Sequence, residues 1–512
     1  MKARRAEILS LAALLLLGSL SLIHLGAIPA FEDEGTQLRW IWRAIEAGEW
    51  LEPLGDGKPL EAWPMVPLLW LGAPPLTAVR AVHALVGMLG IVLTYRLALQ
   101  LTQRNSAFVS AALFAICPFV VYLQRFALAD MLLCTAGIWV LLSEVRLIER
   151  PSWRRAGALA VALGIAALCK LPVGFVLLVW LPLALALMPA AQRQNLLRHP
   201  FWAQSIAAHA PTMLMALGVI LVGGIRAAHG ASPGFGLRDL FGVGLGQYED
   251  IGAVIGVPRP DLLHELAAQL SWPTLVVALI GWLAAALLGD WRQRWLIAAG
   301  ALPMLAIGLF AHFWYSRYLL FTLPPLIVAA VCGWQALAIR CGRPGRPVAF
   351  AAMALSLGFM GYQSALLILD PLSARWSALD RFQYFEGWGS GYGYPEAARF
   401  LLAAARPPAR IYALDGHSAY QLRAYVPPAW RARIGPIFYD EAGTRLRNNT
   451  ERLQNLLQHA PAWMIVPEQL LQRSLRTTLG EAPLREIDLH RIATFDKPGG
   501  HTQLTLYEVT RR

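Results

Sequence analysis

Apolar stretches of roughly 20 residues, the length an α-helix needs to cross about 30 Å of hydrocarbon, recur through the first 370 residues of the chain. They fall at 7–28, 77–100, 107–123, 128–147, 155–170, 172–189, 207–226, 271–289, 294–311, 315–335 and 347–369, about eleven in all. Composition agrees: 57% of residues are hydrophobic and 15% charged, against roughly 25% charged in an ordinary globular chain. The missing charge corresponds to surface that faces lipid, so the chain reads as a polytopic α-helical protein integral to a membrane.

The net charge of +12 could suggest nucleic acid until the cations are located. Lys2, Arg4 and Arg5 precede the first span. Arg104, then Arg146, Arg150, Arg154 and Arg155, then Arg193 and Arg198, then Arg292 and Arg294, then Arg340, Arg343 and Arg346 occupy alternate connections. This is the positive-inside pattern, so the excess sets topology and a nucleic-acid partner is unnecessary. It puts the N-terminus in the cytoplasm and, with an odd number of spans, the C-terminal segment outside. The first apolar run lacks an A-x-A-like cleavage site and reads as a retained anchor. The five cysteines (117, 134, 169, 332 and 341) form no C-x-x-C pair, so neither a disulfide framework nor a structural zinc site is encoded.

Two outer segments are long, 30–76 and 227–270. The first contains LRWIWRAIEAG, an amphipathic stretch expected along the interface with its tryptophans at headgroup level. Residues 1–370 thus form a membrane domain, and past it the periodicity changes. In residues 371–512, ARIYALD (409–415) and AWMIVP (462–467) read as buried strands, LREIDLHRIATF and HTQLTLYEV as a hairpin around DKPGG, and 441–459 and 468–479 as helices, giving a small outer α/β domain.

Ionisable residues gather at the outer helix ends. Asp33 and Glu34 follow the first span in AFEDEGT, either as a solvated acidic loop or as a general base at an interfacial site. Asp130, in RFALADM with Arg125 five residues before it, is the one acid between Glu61 and Glu144. It is either an ion pair that fixes helix packing or an orienting acid of the same outer cavity. Lys170 interrupts GIAALCKLPVGF, where a span reaches the outer surface, turns and re-enters. Only four lysines (2, 58, 170 and 497) occur beside 40 arginines, so snorkelling explains its position but not the choice of residue. Arg317 and Tyr318 lie at the outer end of another span, as interfacial anchors or, with Lys170, as a phosphate clamp of forked guanidinium and compact ammonium.

Other motifs are weak. Gly-rich GWGSGYGYP (387–395) has neither a strand before it nor G-K-[ST] after it, and reads as a link between membrane and outer domains. His264 beside Glu265 lacks H-E-x-x-H spacing; Glu61 and His264 would hold a divalent cation only if distant loops met. No other cofactor is indicated.

In order, Asp33-Glu34-Gly35, GEWLEPLGDGKPLEAWP (48–64), Arg80, RFALADM (125–131), CKLPVG (169–174) and RYLLFTLPP (317–325) resemble the dolichyl-phosphate-mannose protein mannosyltransferase-like family, glycosyltransferase family 39, which includes relatives of the lipid A aminoarabinose transferase. The resemblance implies a GT-C glycosyltransferase fold with about eleven transmembrane helices, in a bacterial or archaeal plasma membrane. It implies a polyprenyl-phosphate sugar as donor, and inverting transfer to a hydroxyl of a protein or glycolipid acceptor on the extracytoplasmic side. It maps the catalytic aspartate onto Asp33, with Glu34 and Asp130 as shaping acids and Lys170, Arg317, Tyr318 and Arg125 as contacts to the donor phosphate. Many members carry E-K-P-P in the next loop, where this chain has Glu61-Ala62-Trp63-Pro64 and Lys58 three residues earlier as the candidate cation. The rival reading is a transporter or flippase of a lipid-linked or anionic substrate, which would favour ionisable residues near the midplane and inverted repeats.

Overall fold

The computed structural model describes residues 2–197, 200–228, 261–310, 315–404, 410–413, 416–437, 446, 449–459, 462–471, 475 and 486–512. The chain divides into two compact units. One comprises Met1–Leu25, Leu51–Glu61 and Arg80–Ser377; the other comprises Gly26–Trp50, Ala62–Val79 and Ala378–Arg512. The division therefore differs from a single cut near residue 370, because two pieces of the first outer segment belong with the C-terminal part.

The first unit is helical. Among the described residues five helices are long and apolar enough to cross a membrane: Arg5–Leu22, Pro75–Leu99, Ala129–Glu149, Ser316–Arg340 and Gly345–Leu369. A sixth is added if Leu262–Leu270 and Trp272–Leu288, bent by 110°, count as one span. This is fewer than the eleven apolar stretches of the sequence. Stretch 107–123 is split into Arg104–Ala115 and Pro118–Leu123, because Pro118 has no amide hydrogen to continue the ladder. Stretch 172–189 is split into Leu171–Leu177 and Trp180–Leu187. Most of the outer segment 227–270 lies outside the described residues.

Hydrophobic burial cannot drive helices together in lipid, so small residues and interhelical hydrogen bonds matter more. Gly281 and Gly333 let Trp272–Leu288 and Leu323–Arg340 touch backbone to backbone: a Cβ on Gly333 would overlap the Gly281 carbonyl. Indoles tie neighbouring helices. Trp334 Nε1 donates to Val277 O at 2.8 Å, Trp282 Nε1 to Leu326 O at 2.8 Å, and Trp295 Nε1 to Trp180 O at 2.9 Å. Leu9, Leu16 and Phe350 stay exposed, as side chains facing acyl chains would.

The second unit contains a five-stranded mixed sheet, order β2-β1-β3-β5-β4, from β1 (Ile411–Ala413), β2 (Ile434–Pro436), β3 (Ala462–Pro467), β4 (Ile487–Asp496) and β5 (Gln503–Arg511). β1 runs parallel to β2 and β3, while β3–β5 and β4–β5 are antiparallel. Tyr412, Met464, Val466 and Val509 build its core with Leu456 of the Asn449–Gln458 helix. The helices expected at 441–459 and 468–479 fall partly outside the described residues; what is described there is Asn449–Gln458 and a short turn at Glu468–Leu470.

The amphipathic stretch LRWIWRAIEAG forms the Glu32–Ala47 helix and belongs to this unit. Its tryptophans are packed against protein: Trp40 and Trp42 are 2% and 3% exposed. Trp42 stacks on Tyr420 with ring centroids 6.1 Å apart, and Arg423 lies 5.0 Å over the Trp42 ring. The aromatic stripe thus packs inside the unit, where dense contact with neighbouring rings and Arg423 holds it.

Candidate functional site

Four chain segments of the first unit bring a charged cluster together. The Ala129–Glu149 helix starts at a capped end, where Glu61 Oε1 accepts the Ala129 amide at 3.1 Å, and Asp130 is its second residue. The Trp153–Cys169 helix stops at Lys170, whose extended backbone (φ −159°) breaks the ladder before Leu171–Leu177 begins. At that corner Leu171 N–H donates to Gly57 O at 2.9 Å, docking the loop that carries Lys58 and Glu61. The Ser316–Thr322 turn supplies Arg317 and Tyr318. Sequence-distant Lys58, Glu61, Asp130, Lys170 and Arg317 are thereby held in one neighbourhood.

Its geometry is that of a cation pair bridged by a carboxylate. Lys170 Nζ donates to Asp130 Oδ1 at 2.8 Å, and Arg317 Nε stands 3.9 Å from Asp130 Oδ2. Tyr318 presents its ring face to the Lys170 ammonium at 4.2 Å, and Tyr315 faces the Arg317 guanidinium at 4.6 Å. Lys58 Nζ lies 3.9 Å from Glu61 Oε2. Lys58, Lys170 and Arg317 thus stand beside the carboxylates of Glu61 and Asp130. The Lys170 and Asp130 side chains are only 9% and 6% exposed, so an anion arriving here meets little competing water. Lys170 and Asp130 also stand at the helix ends opposite Arg154 and Arg146, away from the arginine-rich connection.

Arg125 has a different occupation. Its Nη1 donates to Ile23 O at 2.6 Å and Nη2 to His24 O at 2.9 Å, while Arg80 Nη1 donates to Leu25 O at 2.6 Å. Burial and the charge of Arg80 pull the Arg125 pKa down to about 10, so it keeps its proton at neutral pH. The two arginines hold the carbonyls at the exit of the first membrane helix. Sequence reading assigned Arg125 to the donor phosphate; in the structure its donors bind backbone.

In the second unit, Asp33 lies half-buried in the first turn of Glu32–Ala47, beside Glu32 and Glu34 at the end of the helix that suits acidic side chains. Glu34, fully buried, folds back so that Oε2 accepts the Phe31 amide at 2.9 Å. Its demonstrable work is therefore a helix cap. Glu34→Ala is expected to lose about 1 kcal/mol of stability, read as a lower melting temperature of the detergent-solubilised protein. An unchanged melt would mean the cap contributes nothing.

The glycine-rich segment, read from sequence as a linker, instead lies against the residues before Asp33. Glu32 N–H donates to Gly389 O at 3.0 Å. A Cβ on Gly389 would come within 2.5 Å of the Glu32 carboxylate, and one on Gly391 would overlap the Ala30 carbonyl. Gly391→Ala should therefore displace this contact and destabilise the unit by about 1–3 kcal/mol. A melt equal to that of the parent protein would show that the backbone yields freely. On the other side, the helix Gly416–Arg423 brings His417 to Thr36 and, at 3.8 Å, to the Glu32 carboxylate. None of these partners was singled out from sequence, because no local pattern links residue 30 to residues 389 or 417.

Of the weak metal candidates, His264 is 77% exposed and 3.4 Å from Asp261, while Glu61 serves the cap just described. Among the described residues no three His, Cys, Asp or Glu side chains converge as a metal site would require.

Residues 56–220 match the dolichyl-phosphate-mannose-protein mannosyltransferase family. No curated protein sequence matches the chain. The fold is similar to that of ArnT from Cupriavidus metallidurans in the apo state, with a TM-score of 0.59 and 14% identity over 99% of this chain and 98% of that one. For ArnT bound to undecaprenyl phosphate the TM-score is 0.58, with 14% identity over 98% of both chains. The Archaeoglobus fulgidus oligosaccharyltransferase, in a complex with Zn and sulfate, gives 0.53 and 11% identity over 98% of this chain and 73% of that one. The chain thus has the fold of GT-C glycosyltransferases.

Proposed function

We propose that the protein is a GT-C membrane glycosyltransferase that moves a sugar from a polyprenyl phosphate to an acceptor hydroxyl on the extracytoplasmic side. The observation that carries this reading is the pairing of buried Lys170 and Arg317 with Asp130, with Lys58 on the docked neighbouring loop, in a chain whose fold is shared with a protein crystallised with undecaprenyl phosphate.

The chemistry follows from the residue types. In a single displacement the acceptor oxygen attacks the anomeric carbon as its proton passes to a carboxylate, and the bond from that carbon to the phosphate oxygen breaks with inversion. Asp33 is the proposed base. Lys170 and Arg317, with Lys58, stabilise the charge that collects on the departing polyprenyl phosphate, which preorganised cations in a poorly hydrated site do strongly. Asp130 aims Lys170 and Arg317 before the donor arrives. A retaining enzyme would instead need a second carboxylate as nucleophile. The arginine-rich connections support an N-terminus in the cytoplasm and the charged helix ends outside.

Purified protein in liposomes that include a glycolipid and protein extract of the source membrane as acceptor, offered a panel of undecaprenyl-phosphate pentoses and hexoses, should transfer the sugar of at least one of them and release undecaprenyl phosphate. If no donor in the panel is consumed while an intact lipid-linked sugar appears on the opposite leaflet, the transferase reading fails and a flippase takes its place.

A further inference from the structure

Lys497 is the fourth lysine of a chain that otherwise uses arginine, and its position explains the choice. It is 2% exposed, and its ammonium donates to three backbone carbonyls: Gly387 O at 2.9 Å, Ser390 O at 2.8 Å and Trp388 O at 3.3 Å. A compact group with three radiating donors fits such a cage, whereas a planar guanidinium would not. Burying an ammonium costs heavily unless each donor is satisfied, so the cage fixes the 387–390 turn to the β4–β5 connection that carries Lys497.

That turn is one side of a seat for the segment entering Asp33. Gly389 O, inside the caged turn, accepts the Glu32 amide at 3.0 Å. Gln421, 1% exposed, closes the other side: its Nε2 donates to Gly389 O at 3.1 Å and to Ala30 O at 2.8 Å. Tyr425 Oη accepts the Ala30 amide at 2.6 Å. The backbone on the N-terminal side of Asp33 is therefore held by hydrogen bonds from residues more than 350 positions away in sequence.

We infer that Lys497 and Gln421 are positioning residues for the catalytic carboxylate. Lys497 fixes the 387–390 turn, and the turn with Gln421 fixes residues 30–32 and so the place of Asp33. This assigns the C-terminal part of the chain a role in the transfer step itself. It rests on the reading of Asp33 as base.

The test uses the full-length protein with Lys497→Met, Lys497→Arg and Gln421→Met, the last standing in if Lys497→Met does not fold. Binding of undecaprenyl phosphate in detergent should stay within about twofold of the parent protein. Turnover on whichever panel donor is consumed should fall tenfold or more, and Lys497→Arg should not restore it. Amide exchange in a peptide covering residues 26–36 should speed up while the peptide covering 129–149 does not change. Added to Asp33→Asn, Lys497→Met should lower the residual turnover no further. Normal turnover in folded Lys497→Met and Gln421→Met, or a loss of undecaprenyl phosphate binding that matches the loss of turnover, overturns the inference. Normal turnover in Asp33→Asn alone would instead remove the base, while faster exchange at 26–36 would still report the seat.

Discussion

Asp33→Asn is expected to lower sugar transfer by about 10²–10⁴-fold, the range over which a positioned general base contributes. The substitution keeps shape and volume, and an amide in the first turn still suits the helix N-terminus. The Phe31–Glu34 cap and the Gln421–Ala30 hydrogen bond are made by other groups, so the melting temperature is expected to move little. Undecaprenyl phosphate should bind as before, because the proposed phosphate contacts are other residues. Loss of turnover with retained fold and retained lipid binding is thus the signature, measured by product release beside a thermal melt and a lipid-binding isotherm. Near-normal turnover would remove Asp33 from the mechanism.

Lys170→Ala carries the other large effect, and its interpretation needs a second variant. Deleting the ammonium leaves Asp130 buried without its 2.8 Å partner, which should destabilise the protein by about 3–5 kcal/mol whatever Lys170 does in catalysis. The double substitution Lys170→Met with Asp130→Leu removes both charges and should recover most of that stability, since apolar pairs replace buried ion pairs at little cost. It should not recover activity. Losing one preorganised donor to a developing anion costs about 10²–10³ in turnover, so the stable double variant should remain impaired by at least that much. If the double variant is both stable and active, the pair is packing and the clamp is wrong. Arg317→Lys in the same assay asks for the forked geometry: a lysine supplies charge at that place without two parallel donors.

Much of the helical unit was legible because lipid imposes a long-wavelength pattern that survives without any contact information. The apolar stretch at 128–147 becomes the Ala129–Glu149 helix, and that at 347–369 becomes Gly345–Leu369. Stretch 107–123 reads as one apolar run but forms two helices, since hydropathy averages across Pro118 while the backbone ladder does not. The hairpin of β4 and β5 could be read from alternating residues on either side of DKPGG. Lys170 was conspicuous for a compositional reason, as one of four lysines, and the structure gives it Asp130 and Tyr318 as partners. The seat of residues 30–32 was hidden. Its donors and acceptors are mostly backbone groups of Gly389, Ala30 and Glu32, and main-chain partners leave no mark on residue identity beyond a preference for glycine. The same applies to Arg125, whose partners are carbonyls and whose side chain alone cannot say whether it meets backbone or phosphate.

Because the second unit is assembled from Gly26–Trp50, Ala62–Val79 and Ala378–Arg512, its pieces are made at very different times. A ribosome adding roughly 5–20 residues per second releases the Asp33 segment tens of seconds before Lys497 exists. During that interval the first membrane helix can insert, but the acidic turn behind it has nothing to close upon. The hydrogen bonds that seat residues 30–32 can therefore form only once the chain through Lys497 has been made, and on the reading of Asp33 as base a half-made chain carries that carboxylate without its seat.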